Sequence, residues 1–172
     1  MRKFTTKDLT LAAMVAALYA VMSYFGNVFG LTYGPIQLRF SEALCVLPFL
    51  FPATAPGLFV GCLAANLLSP YGPLDIVVGS LATLIAAVWT SRVKRRWLAP
   101  LPPVVCNMVL VGFTIAFAQT GFTAALPAAW LYNGLTVGVG ELGACYVLGM
   151  LLLKLLPRVD YFKPMIAPKE TA

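Results

Sequence analysis

Apolar residues fill this chain in long, nearly unbroken runs, at about 9–25, 36–51, 55–68, 74–93, 103–118 and 125–156. Neither the alternation of a half-buried strand nor the one-sided stripe of a surface helix interrupts them. A helix needs about 20 apolar residues to cross a ~30 Å hydrocarbon core. The first and fourth runs have that length, and the fifth falls slightly short. The second and third reach only ~24 and ~21 Å at ~1.5 Å per residue. PATAPG alone separates these two, and Pro48 sits inside the second, so they are either two short spans or one re-entrant hairpin. The sixth is too long for a straight span, and Gly134, Gly138, Gly140 and Gly143 let it bend or pack closely.

Composition turns this pattern into a class. The chain has 172 residues, 60% hydrophobic and 10% charged, with a mean hydropathy of +0.88. Soluble domains are nearer half apolar and a quarter charged. The expected fold is therefore an all-α membrane protein, a single domain over residues 1–172. Its start, MRKFTTKDLTLAAMVAALYAVMSYF, has a long apolar run and no small-residue cleavage site before a soluble body, so it reads as the first membrane helix rather than a signal peptide.

Charge then sets the topology. Arg2, Lys3 and Lys7 precede the first run; Arg92, Lys94, Arg95 and Arg96 follow the fourth; Lys154, Arg158, Lys163 and Lys169 follow the sixth. The positive-inside rule puts all three clusters in the cytoplasm, which requires an even number of crossings between them. Six transmembrane helices with both termini cytoplasmic satisfy this, and so does a re-entrant hairpin. The formal charge of +6 is accounted for by these flanks, and no nucleic-acid partner is expected. The connections at the other side, GNVFGLTYGP, SPYGP and QTGFTAALPAAW, are nearly uncharged and are either lids over a pocket or tight turns.

The chain has no histidine, which removes imidazole acid–base chemistry and histidine-ligated metals; no metal or cofactor is expected. No GxxxxGK[ST] loop is present, so uphill transport would draw on an ion gradient or a partner. Cys45, Cys62, Cys106 and Cys145 lie singly in apolar runs and read as small buried residues.

Ionisable groups within membrane runs are costly and usually functional. Here they are Arg39, Glu42, Asp75 and Glu141. Arg39 and Glu42 stand three residues apart, on one helix face, as a local ion pair or as two arms of a pocket. Asp75 opens the fourth run, where a helix N-terminus favours a carboxylate. Glu141 lies deep in the sixth run with no adjacent cation, and a buried carboxylate wants a partner or a proton. Gln37, Asn66, Asn107, Gln119 and Asn133 are amides that either join helices or serve a ligand, and Tyr71, Trp130 and Tyr132 are rings for stacking or for the interfacial belt. On the first helix Ala12, Ala16 and Ala20, with Ala13 and Ala17, form a smooth stripe that packs internally or docks another membrane subunit. Gly57xxxGly61 and Gly134xxxGly138 offer similar faces.

The block GPIQLRFSEALCVLPFLFPATAPGLFVGCLAANLLSPYGPLDIVVGSLATL, 34–84, resembles the QueT-type family, predicted queuosine-precursor transporters that serve as substrate-binding S components of energy-coupling factor (ECF) transporters. The most specific part is Gln37-x-Arg39-x-Ser41-Glu42-Ala43-Leu44 with Asn66 and Asp75; the Pro48, Pro56-Gly57 and Gly61 pattern is shared more loosely among vitamin-binding S components. The resemblance implies six helices in a bacterial cell membrane, a site in the outer half, and docking through an alanine-rich first helix onto a transmembrane coupling subunit carried by two cytoplasmic ATPases. It implies a small-molecule substrate, a deazaguanine base such as preQ1, and no catalytic activity in this chain.

That substrate chemistry matches the candidates. Adjacent N–H donors suit a carboxylate, a ring carbonyl suits Arg, Asn or Gln, and the faces suit aromatic rings. The expected substrate-binding set is Gln37, Arg39, Glu42, Asn66, Tyr71, Asp75, Asn107, Trp130, Asn133 and Glu141. The alternatives are an S component for another vitamin-like molecule, a stand-alone proton-coupled transporter with Glu141 as proton carrier, and an intramembrane enzyme; the last lacks a nucleophile with its base.

Overall fold

The computed structural model describes residues 5–30 and 38–167, and in these all regular structure is helical. Helix α1, Thr6–Val28, begins at a capping box. Thr5 Oγ1 accepts from the Asp8 amide, and Asp8 Oδ2 accepts from the Thr5 amide at 2.9 Å, which satisfies two orphan N–H groups at the helix start. A 3₁₀ helix, Phe40–Phe49, comes next and is almost wholly buried. Then come α2, Ala55–Asn66, and α3, Pro73–Arg92. Helix α4, 101–120, is α-helical on either side of a π-turn at Asn107–Val111. Helix α5, 126–155, has a second π-turn at Gly143–Gly149.

The chain zigzags. Glycine contacts show that α1 and α2 run parallel: a Cβ on Gly57 would lie 2.1 Å from the Ala12 carbonyl oxygen, and one on Gly61 would lie 2.7 Å from that of Ala16. The 3₁₀ helix runs between them in the reverse sense, from Ser41 beside Ser23 to Leu50, whose carbonyl accepts from the Ala167 amide at 2.8 Å. At that end Phe49, Leu50, Phe51, Ala99, Leu153 and Met165 form one apolar cluster with Leu11, Val93, Phe162 and Ile166 against it. The start of α1, the end of α3 and the end of α5 thus meet at one end of the bundle, which also carries the described basic residues flanking them. We call it the basic end.

This geometry resolves the two short runs. They are successive antiparallel helices whose joining bend, 50–54, lies at the basic end. The 3₁₀ helix covers ~20 Å at ~2.0 Å per residue and α2 ~18 Å at ~1.5 Å per residue. Neither reaches the length of a full span alone. Among the described residues four other helical stretches are long and apolar enough to cross a membrane, and the protein is a multi-pass membrane protein. The long sixth run passes through a π-turn rather than a break: Gly149 lets the wide turn lie against Val46, where a Cβ would come within 2.8 Å of Cγ1.

Candidate functional site

The 3₁₀ helix positions the first two charged residues. With three residues per turn, side chains at i and i+3 eclipse. Arg39, at its N-cap, and Glu42, in its first turn, therefore begin on the same side, and the Glu42 amide donates to the Arg39 carbonyl at 3.1 Å. Cys45 falls over Glu42 in the same register, and its thiol donates to Glu42 Oε2 at 3.0 Å. The other Glu42 oxygen accepts from the hydroxyl of Tyr19 on α1. Arg39 instead reaches α2 and α3, with Nη1 3.3 Å from Asn66 Oδ1 and Nη2 3.9 Å from Asp75 Oδ2. Its guanidinium thus ties the 3₁₀ helix to both of them.

Asp75 sits in the first turn of α3, where the helix dipole favours it. Its Oδ2 accepts from Ser69 at 2.5 Å, its carbonyl accepts from Asn66 Nδ2 at 3.2 Å, and its Oδ1 has no hydrogen-bond partner among the described residues. Glu141, on α5, pairs with α4: Asn107 Nδ2 donates to Oε1 at 2.7 Å, and the Cys145 thiol lies 3.5 Å from Oε2. That thiol is also 3.3 Å from the Glu42 carbonyl, so it bridges the two acidic residues. Arg39, Asn107 and Glu141, with Val111 and Val137, surround a space of about 10 Å³, the size of a single water.

Six of the sequence-predicted residues therefore converge from five elements: Arg39, Glu42, Asn66, Asp75, Asn107 and Glu141 are all buried in one polar layer inside the bundle. Gln37 lies outside the described residues. Of the remaining three, Asn133 and Trp130 bond outside the layer, and Tyr71 adjoins it through Ser69, whose hydroxyl donates to Asp75. Asn133 is eight residues before Glu141 on α5, about 12 Å away at ~1.5 Å per residue. Its Nδ2 donates to Gln119 Oε1 and the Ala129 carbonyl, both at 2.8 Å, so it joins α4 to α5. Tyr71 lies in the α2–α3 turn, with its amide on Ser69 Oγ at 3.2 Å and its side chain against the apolar cluster of Ala82, Val111, Ile115 and Val137. Trp130 is 40% exposed, and its indole N–H donates to the Val109 carbonyl at 3.0 Å.

Sequence reasoning missed the hydroxyls and thiols that complete the layer. Tyr19 and Ser23 belong to the inward stripe of α1 with Ala12, Val15 and Gly26, and Ser23 donates to Ser41 at 2.7 Å. Two hydroxyls at i and i+4 on the buried side of a membrane helix were the available signal. The four cysteines are buried and free, as small core residues would be, yet Cys45 and Cys145 donate to the acidic residues and Cys62 accepts from Thr83 at 3.2 Å.

The alanine stripe divides in two. Ala12 is buried against Gly57, and Ala16 meets Gly61. Ala13 and Ala17 face outward, among the exposed Leu9, Met14, Leu18 and Val21. The first pair makes the α1–α2 seam, and the second lies on open surface.

The sequence pattern of the QueT transporter family matches residues 9–158. The chain belongs to that family. It is 30% identical over 172 residues to the queuosine precursor transporter QueT of Lactococcus lactis subsp. cremoris (strain MG1363), covering 93% of this chain and 98% of the relative. No solved structure matches it.

Proposed function

We propose that this chain is the substrate-binding subunit of a bacterial importer for a queuosine precursor, a 7-deazaguanine base of the preQ1 type. It works in trans with a transmembrane coupling subunit and two cytoplasmic ATPases. The relative's name supports the substrate class, and one observation supports the site: Arg39, Asn107 and Glu141, carried by three different elements, surround one buried space, which at about 10 Å³ holds a single water and has to widen to admit a base. Arg39 donates to the ring carbonyl. The Glu141 carboxylate and Asn107 Oδ1, which has no hydrogen-bond partner among the described residues, accept from the amino edge or the aminomethyl ammonium. Glu42 and Asp75 stand behind them, balancing Arg39 and holding it in place. The outward face of α1 with Ala13 and Ala17 supplies the docking surface, and the basic end faces the cytoplasm by the positive-inside rule.

Calorimetry on the purified protein tests the reading. The parent should bind preQ1, and Glu141→Gln should keep the side chain's shape while weakening binding about ten- to a hundredfold, the effect of losing ~1.5–3 kcal/mol from a charged hydrogen bond. The nitrile precursor, which lacks the ammonium, separates the two roles of Glu141. Equal losses for both bases put it on the ring edge; a loss for preQ1 alone puts it on the ammonium. A parent that ignores guanine-like bases, or that concentrates them unaided in vesicles under a proton gradient, defeats the proposal.

A further inference from the structure

The geometry points to Trp130 as a positioning residue: its indole clasps the π-turn of α4 and thereby holds Asn107 on Glu141. The consequence for ligand binding rests on the function proposed above; the clasp itself does not.

A π-turn holds one residue more than an α-turn, so it rotates the rest of the helix by about 100° relative to an unbroken helix of 3.6 residues per turn. In α4 the two sides of the turn have separate tasks. On the near side Asn107 donates to Glu141 at 2.7 Å. On the far side Gly112 lies flush against α5, where a Cβ would come within 2.7 Å of the Gly134 Cα. An unbroken α-helix at this height would turn one of these groups away from α5. The extra residue lets both contacts exist together, but wide turns are rare and need support from outside the helix.

Trp130 supplies that support. The Gly112 amide donates to the carbonyls of both Asn107 and Val109, and the Val109 carbonyl, in the middle of the turn, also accepts from the Trp130 indole. The indole is fixed in turn by an edge-on contact with Phe113, centroids 5.4 Å apart. Trp130 stands on the outer side of the α4–α5 seam, lining an apolar groove of about 240 Å³ with Met108, Val109 and Leu131. The polar layer is on the inner side. The ring therefore acts through the backbone of α4 rather than by stacking on the ligand.

Hydrogen–deuterium exchange on the free protein in detergent reads the clasp without any ligand. Trp130→Phe keeps a ring beside Phe113 and removes only the donor. The Gly112 amide should then exchange about fivefold faster, as expected for one lost neutral hydrogen bond, while amides of α1 and α2 are unchanged. Phe113→Leu removes the ring contact and leaves the donor, and should have a smaller effect. Unchanged exchange in Trp130→Phe, or an equal effect from Phe113→Leu, overturns the clasp. A double-mutant cycle with preQ1 then tests its consequence. Trp130→Phe should weaken binding about fivefold in the parent and less than about twofold in Asn107→Ala. Equal losses in both backgrounds mean that Trp130 acts independently of Asn107, which overturns the positioning role. A parent that binds no base defeats the proposed function and leaves the exchange result to decide the clasp.

Discussion

Helices α1 and α2 meet as α4 and α5 do, with a glycine pressed against a neighbouring backbone, but the two seams differ in what surrounds the contact. The α1–α2 seam is regular: Gly57 meets Ala12, Gly61 meets Ala16, and both helices keep an unbroken α register. The α4–α5 seam has a π-turn in each partner, and one polar pair, Asn107 with Glu141, lies directly beside the first. In a membrane, helices associate through close van der Waals packing and interhelical hydrogen bonds rather than through a hydrophobic drive. The first seam relies on packing. The second trades regular packing for side-chain placement. Wide turns concentrate where function needs a side chain that a regular helix would aim elsewhere.

The largest expected effect breaks the regular seam. A Cβ at Gly57 lies 2.1 Å from the Ala12 carbonyl oxygen and 2.8 Å from its carbonyl carbon, so two backbones must separate. At Gly112 the nearest backbone atom is 2.7 Å away. Gly57→Ala should cost more than the ~1–3 kcal/mol typical of overpacking, and more than Gly112→Ala. Size-exclusion after heating in detergent compares the two. The contrast fails if Gly57→Ala survives heating as the parent does. Gly112→Ala should instead show its loss first in preQ1 binding, because it moves the turn that carries Asn107.

Much of this arrangement was legible in the sequence, for a physical reason. Charge is so costly in a membrane that the few ionisable residues inside the apolar runs stand out by their rarity, and Arg39, Glu42, Asp75 and Glu141 do share one buried layer. Their partners were not legible. Arg39 reads locally as a mate for Glu42, three residues on, but its guanidinium spans to Asn66 and Asp75, a contact set by how α2 and α3 fold back. Trp130 and Asn133 read as pocket parts or as belt and helix-joining residues, and each has a partner on α4. Nothing in a linear sequence distinguishes a ring that faces a ligand from one that caps a carbonyl of the next helix. The 3₁₀ form of the second run was also hidden. Pro48 hinted at an interrupted α-helix, not at ten residues wound more tightly.

A second, intermediate effect separates the two faces of α1. Ala17 is exposed on the side opposite the seam, so Ala17→Leu should leave folding and preQ1 binding unchanged. It should nevertheless lower uptake about tenfold or more in vesicles containing the assembled transporter, because a bulky side chain keeps a partner helix from close approach. Ala12→Leu, on the buried side, should lose folded protein instead. Full uptake by Ala17→Leu would mean that the outward face meets only lipid.

The smallest effect concerns the link between the seams. Tyr19 is fully buried on α1, and its hydroxyl donates to Glu42. Glu42 is in turn tied through its own carbonyl to Cys145 and so to Glu141. Tyr19→Phe removes one oxygen and leaves the ring to fill the same space beside Leu58 and Cys62. Interhelical hydrogen bonds in membranes average ~0.6 kcal/mol and reach ~1.7 kcal/mol, so the loss should be about three- to fifteenfold wherever it appears. Where it appears is informative. If Glu42 only steadies the bundle, the loss falls on thermal stability and preQ1 affinity is unchanged. If Glu42 balances and positions Arg39 for the ligand, as the proposed site requires, affinity falls while stability moves little, and Glu42→Gln shows the same pattern more strongly. A change confined to stability in both variants would move Glu42 from the site to the scaffold, and leave Arg39, Asn107 and Glu141 to hold the ligand.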